Sequence, residues 1–432
     1  MRFGAIIVEN ALSSQSQTIS SPNMPEIAII GGGAAGFFAA ISAKNIQPQA
    51  AVTIFEKSDR VLAKVLISGG GRCNLTNSFA RVHDLKQAYP RGNQLLKRLF
   101  NIFDHHDTYR WFEQRGVPLT TQDDECIFPR SQNAASITDC LVRTAVQSGV
   151  EIRTRQALKR LNPLSDGRIE TVFKGGKAAV FDRVIIATGG SPRAERFRYL
   201  ADLGHEIIGP VPALYTFNIN EPEFRALMGT VINPVALSIP ATKHRSTGAL
   251  LITHWGMSGP ATLKLSSYAA RFVSQQDYHF DVSINWLNER NAETVRQQLS
   301  TIAETHPKKQ LGSSSPGNLS ARVWHYLLQR ASIEADKQWN ELGQKAFHKL
   351  IETLTNDIHS VTGKGSFRDE FVTCGGVSIG SIHLQTLESK VCPNLFFAGE
   401  VLDIDAITGG FNLQAAWTTG FVAGQSAGQL SN

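Results

Sequence analysis

The sequence has few cysteines and no paired cysteine motif. Its five cysteines stand singly along 432 residues, with no Cys-x-x-Cys pair. This spacing argues against a disulfide framework, a cysteine zinc site or a dithiol redox centre, and it predicts a cytoplasmic protein. No apolar run approaches membrane-spanning length, so we expect no membrane partner. The net charge is only +6 and no block of five like charges occurs, which argues against a nucleic-acid-binding tail.

The length of 432 residues predicts two or three domains. Residues 1–24 are rich in Ser and Gln and lack the long apolar run of a signal peptide, so we predict a disordered extension there. Met24, just before the first apolar run, is a candidate start of the folded unit.

Glycine is abundant, and its most informative cluster follows a strand-like run. Residues 26–30 lead into Gly31-Gly32-Gly33-Ala34-Ala35-Gly36, a G-x-G-x-x-G pattern that opens a helix. In that pattern the first glycine permits a tight turn, the second lets a pyrophosphate approach the backbone, and the third lets the helix pack closely. A second strand-like run ends at Glu56, at the spacing expected for a carboxylate that binds ribose hydroxyls. These features predict dinucleotide binding.

Two later segments repeat this combination of glycine and strand. A buried strand at 184–187 runs into Thr188 and Gly189, and a strand at 395–398 ends in Gly399-Glu400. A second glycine-rich loop, at 67–77, does not follow a buried strand. A helix opened by Gly409-Gly410 follows. The two ends of the chain therefore form one α/β nucleotide-binding domain.

The middle of the chain has a different pattern. Short strand-like runs at 213–219, 231–239, 249–253 and 279–284 suit a small barrel, and apolar residues at helical spacing follow up to residue 356. We predict a first part of the nucleotide domain at 25–194, a β-barrel-like insertion at 195–290, a helical insertion at 291–355 and a second part at 356–432.

The distant second element favours FAD over a nicotinamide. Glu400 is placed to accept ribityl hydroxyls or a water linked to the pyrophosphate. The helix from Asn412 would direct N–H groups at the N1/O2 edge of a flavin. No second G-x-G-x-x-G follows a strand, so we expect no permanent NAD(P) domain. NAD(P)H remains a candidate transient donor.

Four long motifs carry a family resemblance. They are residues 66–77 (LISGGGRCNLTN), 253–260 (THWGMSGP), 372–377 (VTCGGV) and 398–414 (AGEVLD leading into GGFNLQ). With them the chain resembles the bacterial YhiN/BaiN-type flavoproteins, described as NAD(P)/FAD-dependent oxidoreductases or aminoacetone oxidase family FAD-binding enzymes. The resemblance implies a glutathione-reductase-like Rossmann FAD domain interrupted by a β-barrel-like plus helical insertion. The sequence departs from the family pattern after Gly189-Gly190.

The fingerprint, the later glycine turns and the resemblance together give a set of expected FAD contacts. They are Gly31, Gly32, Gly33, Ala34, Ala35, Gly36, Glu56, Lys57, Gly71, Arg72, Cys73, Asn74, Leu158, Thr188, Gly189, Gly399, Glu400, Asp403, Asn412 and Leu413.

Alternative roles are open for several residues of these loops. Arg72 could clamp the pyrophosphate, line the flavin face or lie on the surface, and Cys73 could be a redox thiol or a packed one. Asn74 could bind the flavin or shape its loop. Asp403 and Asp405 could be carboxylates near the ring or part of a solvated loop.

His254 is the candidate catalytic residue, because an imidazole can deliver a proton during hydride transfer. A structural histidine in the barrel is the alternative. His105 and His106 lack metal-ligand spacing to another histidine, so we assign no metal.

These observations predict an FAD-dependent oxidoreductase that acts on a small molecule. Two alternatives remain: a flavin-containing factor that modifies or binds RNA, and a redox sensor without turnover. The sequence leaves the substrate, the electron donor and the oligomeric state open.

Overall fold

The computed structural model describes residues 24–365 and 372–429. The predicted disordered extension therefore lies outside the described residues, apart from Met24. Within the described part of the chain, no helix is both long enough and apolar enough to cross a bilayer.

The described residues form strands and helices in both the Rossmann unit and the insertion. The strands are β1 (Glu26–Ile30), β2 (Ala51–Phe55), β3 (Thr76–Asn77), β4 (Leu119–Thr121), β5 (Cys126–Pro129), β6 (Glu151–Arg153), β7 (Leu158–Pro163), β8 (Ile169–Phe173), β9 (Ala178–Phe181), β10 (Arg183–Ile186), β11 (Ile207–Ala213), β12 (Phe217–Ile219), β13 (Val231–Ser238), β14 (Arg245–Thr253), β15 (Gly256–Ser258), β16 (His279–Asn285), β17 (Asp357–Lys364), β18 (Val372–Val377) and β19 (Leu395–Phe397). The helices are α1 (Ala34–Ile46), α2 (Ala63–Gly71), α3 (Leu85–Ala88), α4 (Asn93–Leu99), α5 (His105–Glu113), α6 (Ala135–Gln147), α7 (Arg198–Ala201), α8 (Pro222–Arg225), α9 (Pro260–Tyr268), α10 (Ala270–Gln275), α11 (Ala292–Thr305), α12 (Ala321–Arg330), α13 (Gln344–Thr355) and α14 (Phe411–Gly428).

A five-stranded parallel sheet forms the nucleotide-binding unit, in the order β19-β10-β1-β2-β6. The C-terminal strand β19 pairs with β10, so both ends of the chain enter one Rossmann-type sheet, as predicted. Central strands β1 and β10 are buried almost throughout, which explains their continuous apolar sequence. Ile30 aligns with both Phe55 and Ile186, so the turns that follow these strands meet at one edge.

Helices α1 and α14 lie in close contact behind this edge. Three glycines spaced four apart put one bare face of α14 against α1. The facing pairs are Gly420 with Ala35, Gly424 with Ala39, and Gly428 with Ala43. A Cβ atom at Gly420 would lie 2.5 Å from the Ala35 carbonyl oxygen, and one at Gly424 would overlap the Ala39 oxygen. The two helices can therefore approach this closely only without side chains there.

The insertion is built on a closed barrel of six strands, in the order β12-β15-β14-β13-β16-β17. Helices α11 to α13 share its hydrophobic core. Strand β17 begins at Asp357, after the predicted end of the insertion at 355, and pairs with β12 and β16. The predicted strand at 213–219 is interrupted, because Ala213 ends β11 and Phe217 begins β12. Strand β11 pairs with β18 instead, and this two-stranded ribbon joins the insertion to the Rossmann unit.

A buried ionic network lies in the insertion. The His359 ring faces carboxylates on both sides, with Nδ1 3.0 Å from Glu221 and Nε2 2.9 Å from Asp357. Arg330 pairs with both acids, at 3.1 Å and 2.7 Å. Burial lowers the pKa of His359, but the hydrogen bonds and charges of the two carboxylates outweigh it and leave the pKa raised. Burial raises the pKa of each acid, but His359 and Arg330 outweigh it and leave both lowered.

We expect Gly424→Ala to lower the free energy of unfolding by about 1–3 kcal/mol, because the added methyl group overlaps the α1 backbone. Denaturant unfolding measures the change. The control is Gly209→Ala, where the backbone is not left-handed and no atom lies within 4 Å of the new Cβ. That substitution should be neutral or stabilise by up to about 1 kcal/mol. Equal effects at the two positions would contradict the close approach of α1 and α14.

Stability should also depend on pH through His359. Its raised pKa gives a stabilisation that is complete below the ordinary histidine pKa of about 6.5 and is lost as pH rises through the folded value. The lowered pKa values of Glu221 and Asp357 give a stabilisation present above about pH 4.5 and lost on acidification. The stability difference between wild type and a variant without the His359 imidazole should therefore shrink from pH 6.5 towards pH 9. His359→Gln should be less stable at pH 6 and flatter over this range. The exposed control His306→Gln should follow wild type.

Candidate dinucleotide site

A long groove runs along the carboxyl edge of the Rossmann sheet. It consists of two cavities of about 930 and 530 Å³. Both cavities are lined by Gly31, Glu56, Lys57, Thr188 and Gly189. The larger cavity continues along β7 and α7, and the smaller one continues between α2 and the start of α14. The shared residues make the two cavities one elongated site.

The fingerprint glycines play different parts in this groove. Gly31 has a φ of +121°, and a side chain there would collide with the Ala187 backbone. A Cβ at Gly36 would overlap the Gly31 carbonyl oxygen, so Gly36 lets α1 pack under the turn. Gly33 precedes α1, and no protein atom lies within 4 Å of its missing Cβ, although the residue lines the smaller cavity. This open cradle at a helix N-terminus suits a phosphate group.

Glu56 closes the turn from the end of β2. Its Oε2 accepts a hydrogen bond from the Gly32 amide at 2.8 Å, and its Oε1 accepts from the Ser58 amide and hydroxyl at 2.9 and 2.8 Å. Carboxylate oxygens have further lone pairs. The carboxylate therefore fixes the first turn and lines both cavities, where ribose hydroxyls could still reach it.

Cationic side chains flank the middle of the groove. Lys57 lines both cavities, Arg196 the larger one and Lys64 the smaller one. Partial burial lowers the pKa of Lys57, and the nearby positive charges of Arg196 and Lys64 lower it further. An anion bound between these groups would relieve that repulsion, which is the electrostatic requirement of a pyrophosphate.

The second glycine-rich loop is tied to the C-terminal turn. Asn77 donates a hydrogen bond to the Gly409 carbonyl at 3.1 Å, and the Asn74 side chain bridges the Thr76 carbonyl and the Gly410 amide. Gly410 has a φ of +88°, and a Cβ there would overlap the Thr76 carbonyl. These contacts join segments more than 300 residues apart into one wall of the smaller cavity.

The C-terminal elements complete this wall. Glu400 accepts a hydrogen bond from the Thr373 amide at 2.7 Å and pairs with Lys64 at 3.2 Å. The Asn412 side chain is engaged by the protein itself. It accepts a hydrogen bond from the Ala406 amide at 2.9 Å and donates one to the Ala406 carbonyl at 3.0 Å. Asn412 and Leu413 nevertheless line the cavity at the start of α14. The first amides of a helix lack intrahelical partners, so this end presents donors to a ligand.

Most of the predicted contact residues line this groove. They are Gly31, Gly32, Gly33, Ala34, Ala35, Glu56, Lys57, Asn74, Leu158, Thr188, Gly189, Gly399, Glu400, Asn412 and Leu413. Whether each of them touches a cofactor stays a prediction.

Five predicted contacts do not line either cavity. Two are the glycines Gly36 and Gly71. Arg72 lies over the Phe128 ring at 4.5 Å and donates to the Gly69 carbonyl at 3.2 Å. Cys73 is fully buried, and burial raises its pKa to about 12, so its thiol stays protonated and packed. Asp403 pairs with Arg271 at 2.9 Å.

His254 lies on the hairpin between β14 and β15, and its exposed ring contacts Trp255 with ring centres 4.4 Å apart. It lines neither cavity. Its predicted part in proton transfer stays a prediction that the geometry does not support.

Several lining residues lie outside the motifs found in the sequence. They are Leu62, Ala63, Lys64, Leu214 and Thr419. Among these residues, Lys64 was the easiest to suspect as a lining residue from the sequence, since it stands just before the second glycine-rich loop. Val372, Ile404 and Ile407 also line the smaller cavity; they lie within the motif segments 372–377 and 398–414 but are not among the expected contacts.

Three comparisons place the chain among known proteins. The family model described as HI0933-like protein Rossmann domain matches residues 25–426. A 3-dehydro-bile acid delta(4,6)-reductase of Clostridium scindens is 28% identical, over 94% of this chain and 100% of that protein. A ribosomal RNA dihydrouridine synthase of Escherichia coli is 30% identical, over 92% and 96%. The structure of a 3-ketosteroid-delta4-(5alpha)-dehydrogenase from Rhodococcus jostii is similar in fold, with a TM-score of 0.50, 15% identity and coverage of 96% and 99%.

Filling the open cradle at Gly33 should abolish cofactor binding without unfolding the protein. Gly33→Val places a Cβ where no protein atom outside the neighbouring residues lies within 4 Å, and its methyl groups extend into the space beside the start of α1. We expect at least a ~100-fold weaker FAD affinity, equivalent to about 2.7 kcal/mol, and an apoprotein that melts within a few degrees of wild type.

Gly343→Val is the matched control, because Gly343 also precedes a helix in open space but lies far along the chain in the insertion. It should bind FAD as wild type does. Fluorescence titration of the apoproteins with FAD measures both affinities, and full flavin content in Gly33→Val would show that the cradle is not the phosphate site.

Proposed function

This chain belongs to the HI0933-like Rossmann flavoprotein family, and from that premise we propose that it is an FAD-dependent reductase of carbon–carbon double bonds conjugated to a carbonyl group. The observation that carries the proposal is the groove itself: its two cavities meet at the fingerprint turn, and the smaller one reaches the start of α14 and the connectors of the insertion. An FAD lying lengthwise would have its adenosine along β7 and its ring at that end.

The names of two relatives support the reaction type. One is a delta(4,6)-reductase of a 3-dehydro bile acid, and the other forms dihydrouridine in ribosomal RNA. Both names describe hydrogen addition to a carbon–carbon double bond. In a 3-oxo-4-ene and in uracil that bond is conjugated to a ring carbonyl, so one hydride and one proton complete each reduction. Bound FAD, once reduced, supplies the hydride equivalent.

The protein groups that line the groove would bind and orient the cofactor. Glu56 would accept the ribose hydroxyls, and the start of α1 with Lys57 and Lys64 would hold the pyrophosphate. Glu400 would accept a ribityl hydroxyl. The amides at Asn412 and Leu413 would donate to the ring edge that becomes electron-rich on reduction.

An apolar surface faces the same end of the groove. It is formed by Leu214, Val372, Ile404 and Ile407. Leu214 and Val372 are where the chain enters and leaves the insertion. This surface would exclude water and accept the flat hydrocarbon part of a substrate, with the insertion setting which substrates fit.

Two classes of substrate fit this reaction type, a small conjugated ketone and uridine in RNA. A small conjugated ketone suits the apolar wall, whereas uridine in RNA is favoured by the 30% identity to the ribosomal RNA enzyme over nearly the whole chain. The modest net charge of +6 neither requires nor prevents RNA binding. NAD(P)H as a transient donor, and a sensor role without turnover, are tested by the same experiment.

The purified protein should be yellow and contain about one FAD per chain. Anaerobic reduction by NADH or NADPH, followed in a stopped-flow spectrometer near 450 nm, should bleach the flavin. Mixing the reduced protein with a 3-oxo-4-ene steroid or bile acid, or with unmodified ribosomal RNA, should restore the absorbance in proportion to the added double bonds. The saturated ketone and dihydrouridine-containing RNA are the controls.

Reoxidation by the RNA alone would assign the second candidate. Reoxidation by oxygen alone would overturn the reductase proposal, and a colourless protein that cannot be reconstituted with FAD would overturn the cofactor assignment.

A further inference from the structure

Two arginine–aspartate pairs meet where the insertion contacts the smaller cavity, and we call Arg91, Asp405, Arg271 and Asp403 the charge junction. Arg91 binds Asp405 through both Nε and Nη2, with the Nε to Oδ1 distance 2.6 Å. Its remaining nitrogen, Nη1, donates to the Ser267 carbonyl at 2.8 Å. Asp405 is only 1% exposed, so this pair lies in the interior.

The second pair reaches the same loop from the insertion. Arg271, on α10, donates from Nη2 to both oxygens of Asp403 at 2.9 Å. Cys374 lies within 4.8 Å of both carboxylates, and burial raises its pKa to about 11, so it contributes no charge. Two guanidinium groups therefore balance two carboxylates, and the junction needs no metal ion.

The loop held by the junction forms part of the cavity wall. Ile404 lies between the two aspartates and, with Ile407, lines the smaller cavity. Behind Ile404 stands Gly92, directly after Arg91, where a Cβ would lie 2.6 Å from Ile404 Cγ1. The Ile407 amide donates to the Ala88 carbonyl at 2.9 Å. A shift of the junction would therefore move this wall.

The junction also fixes the insertion. The chain passes to and from the insertion through the ribbon of β11 and β18, which ends at the cavity-lining Leu214 and Val372. A two-stranded ribbon alone permits tilting. Helices α9 and α10 pack beside this ribbon, where Ala270 and Leu263 share an apolar cluster with Ala213, Val372 and Cys374. From these helices, Ser267 and Arg271 meet the junction, and the Tyr268 hydroxyl donates to the Gln87 carbonyl at 2.7 Å.

We propose that Arg91 and Arg271 are positioning residues: they hold α9 and α10 against residues 403–405 and so set the distance between the Ile404–Ile407 wall and the ring of the bound cofactor. This inference rests on the proposed function in one respect: the position of the wall decides where the double bond of the substrate lies only if the protein is the proposed reductase. Its geometric part, the effect of the insertion on the flavin environment, does not depend on turnover.

The test uses Arg271→Gln, because Arg271 is partly exposed and its loss leaves the buried Arg91–Asp405 pair in place. We expect wild-type FAD content, a changed visible circular dichroism spectrum of the bound FAD, and kcat/KM about tenfold lower, a change of about 1.4 kcal/mol. Arg271→Lys, which retains a donor to Asp403, should recover most of both signals. The control Arg296→Gln removes a surface arginine that pairs with Glu293 and should match wild type.

If the Arg271–Asp403 pair only stabilises the fold, the result will differ. Arg271→Gln would then melt at a lower temperature but retain the wild-type dichroism and kcat/KM, and this outcome would overturn the inference. If the wild-type holoenzyme reduces none of the tested substrates, the proposed function fails. The dichroism of Arg271→Gln against Arg296→Gln would still decide whether the junction positions the cavity wall.

Discussion

The close approach of α1 and α14 is the constraint on which the site depends. Carbonyl oxygens of α1 lie against the glycine face of α14, where even a methyl group would not fit. This contact brings the N-terminal ends of two helices to the same groove, one from each end of the chain. The distance between these two helix starts, each with free backbone amides, is therefore set by backbone packing.

The local signals of the Rossmann unit were sufficient to predict its fold. Each strand of the sheet has its own apolar run, and the turn after β1 needs glycine for reasons that involve only neighbouring backbone, as at Gly31. The return of the C-terminal strand to the sheet was also predictable, because Gly399 and Glu400 follow it in the same way that Glu56 follows β2. The barrel was predicted from its short strand-like runs, although β17 was assigned to the following domain.

Side-chain directions were not predictable, because they depend on contacts distant in sequence. Arg72 turns towards Phe128 on β5, and Cys73 is enclosed by the core, so neither residue lines the groove although both directly follow three consecutive glycines. Asn412 is used to hold Ala406. Lys64 lines the cavity and pairs with Glu400, which lies 336 residues later in the chain. No local sequence pattern predicts a pair of residues that far apart.

The ribbon of β11 and β18 has an evolutionary consequence. Because the chain leaves and re-enters the Rossmann unit on adjacent antiparallel strands, the covalent connections of the insertion lie side by side, and α9 and α10 make further contacts with the unit. Its loops and cavity-facing surface could diversify, or be exchanged between homologues, while the dinucleotide groove kept its own core and its own backbone contacts.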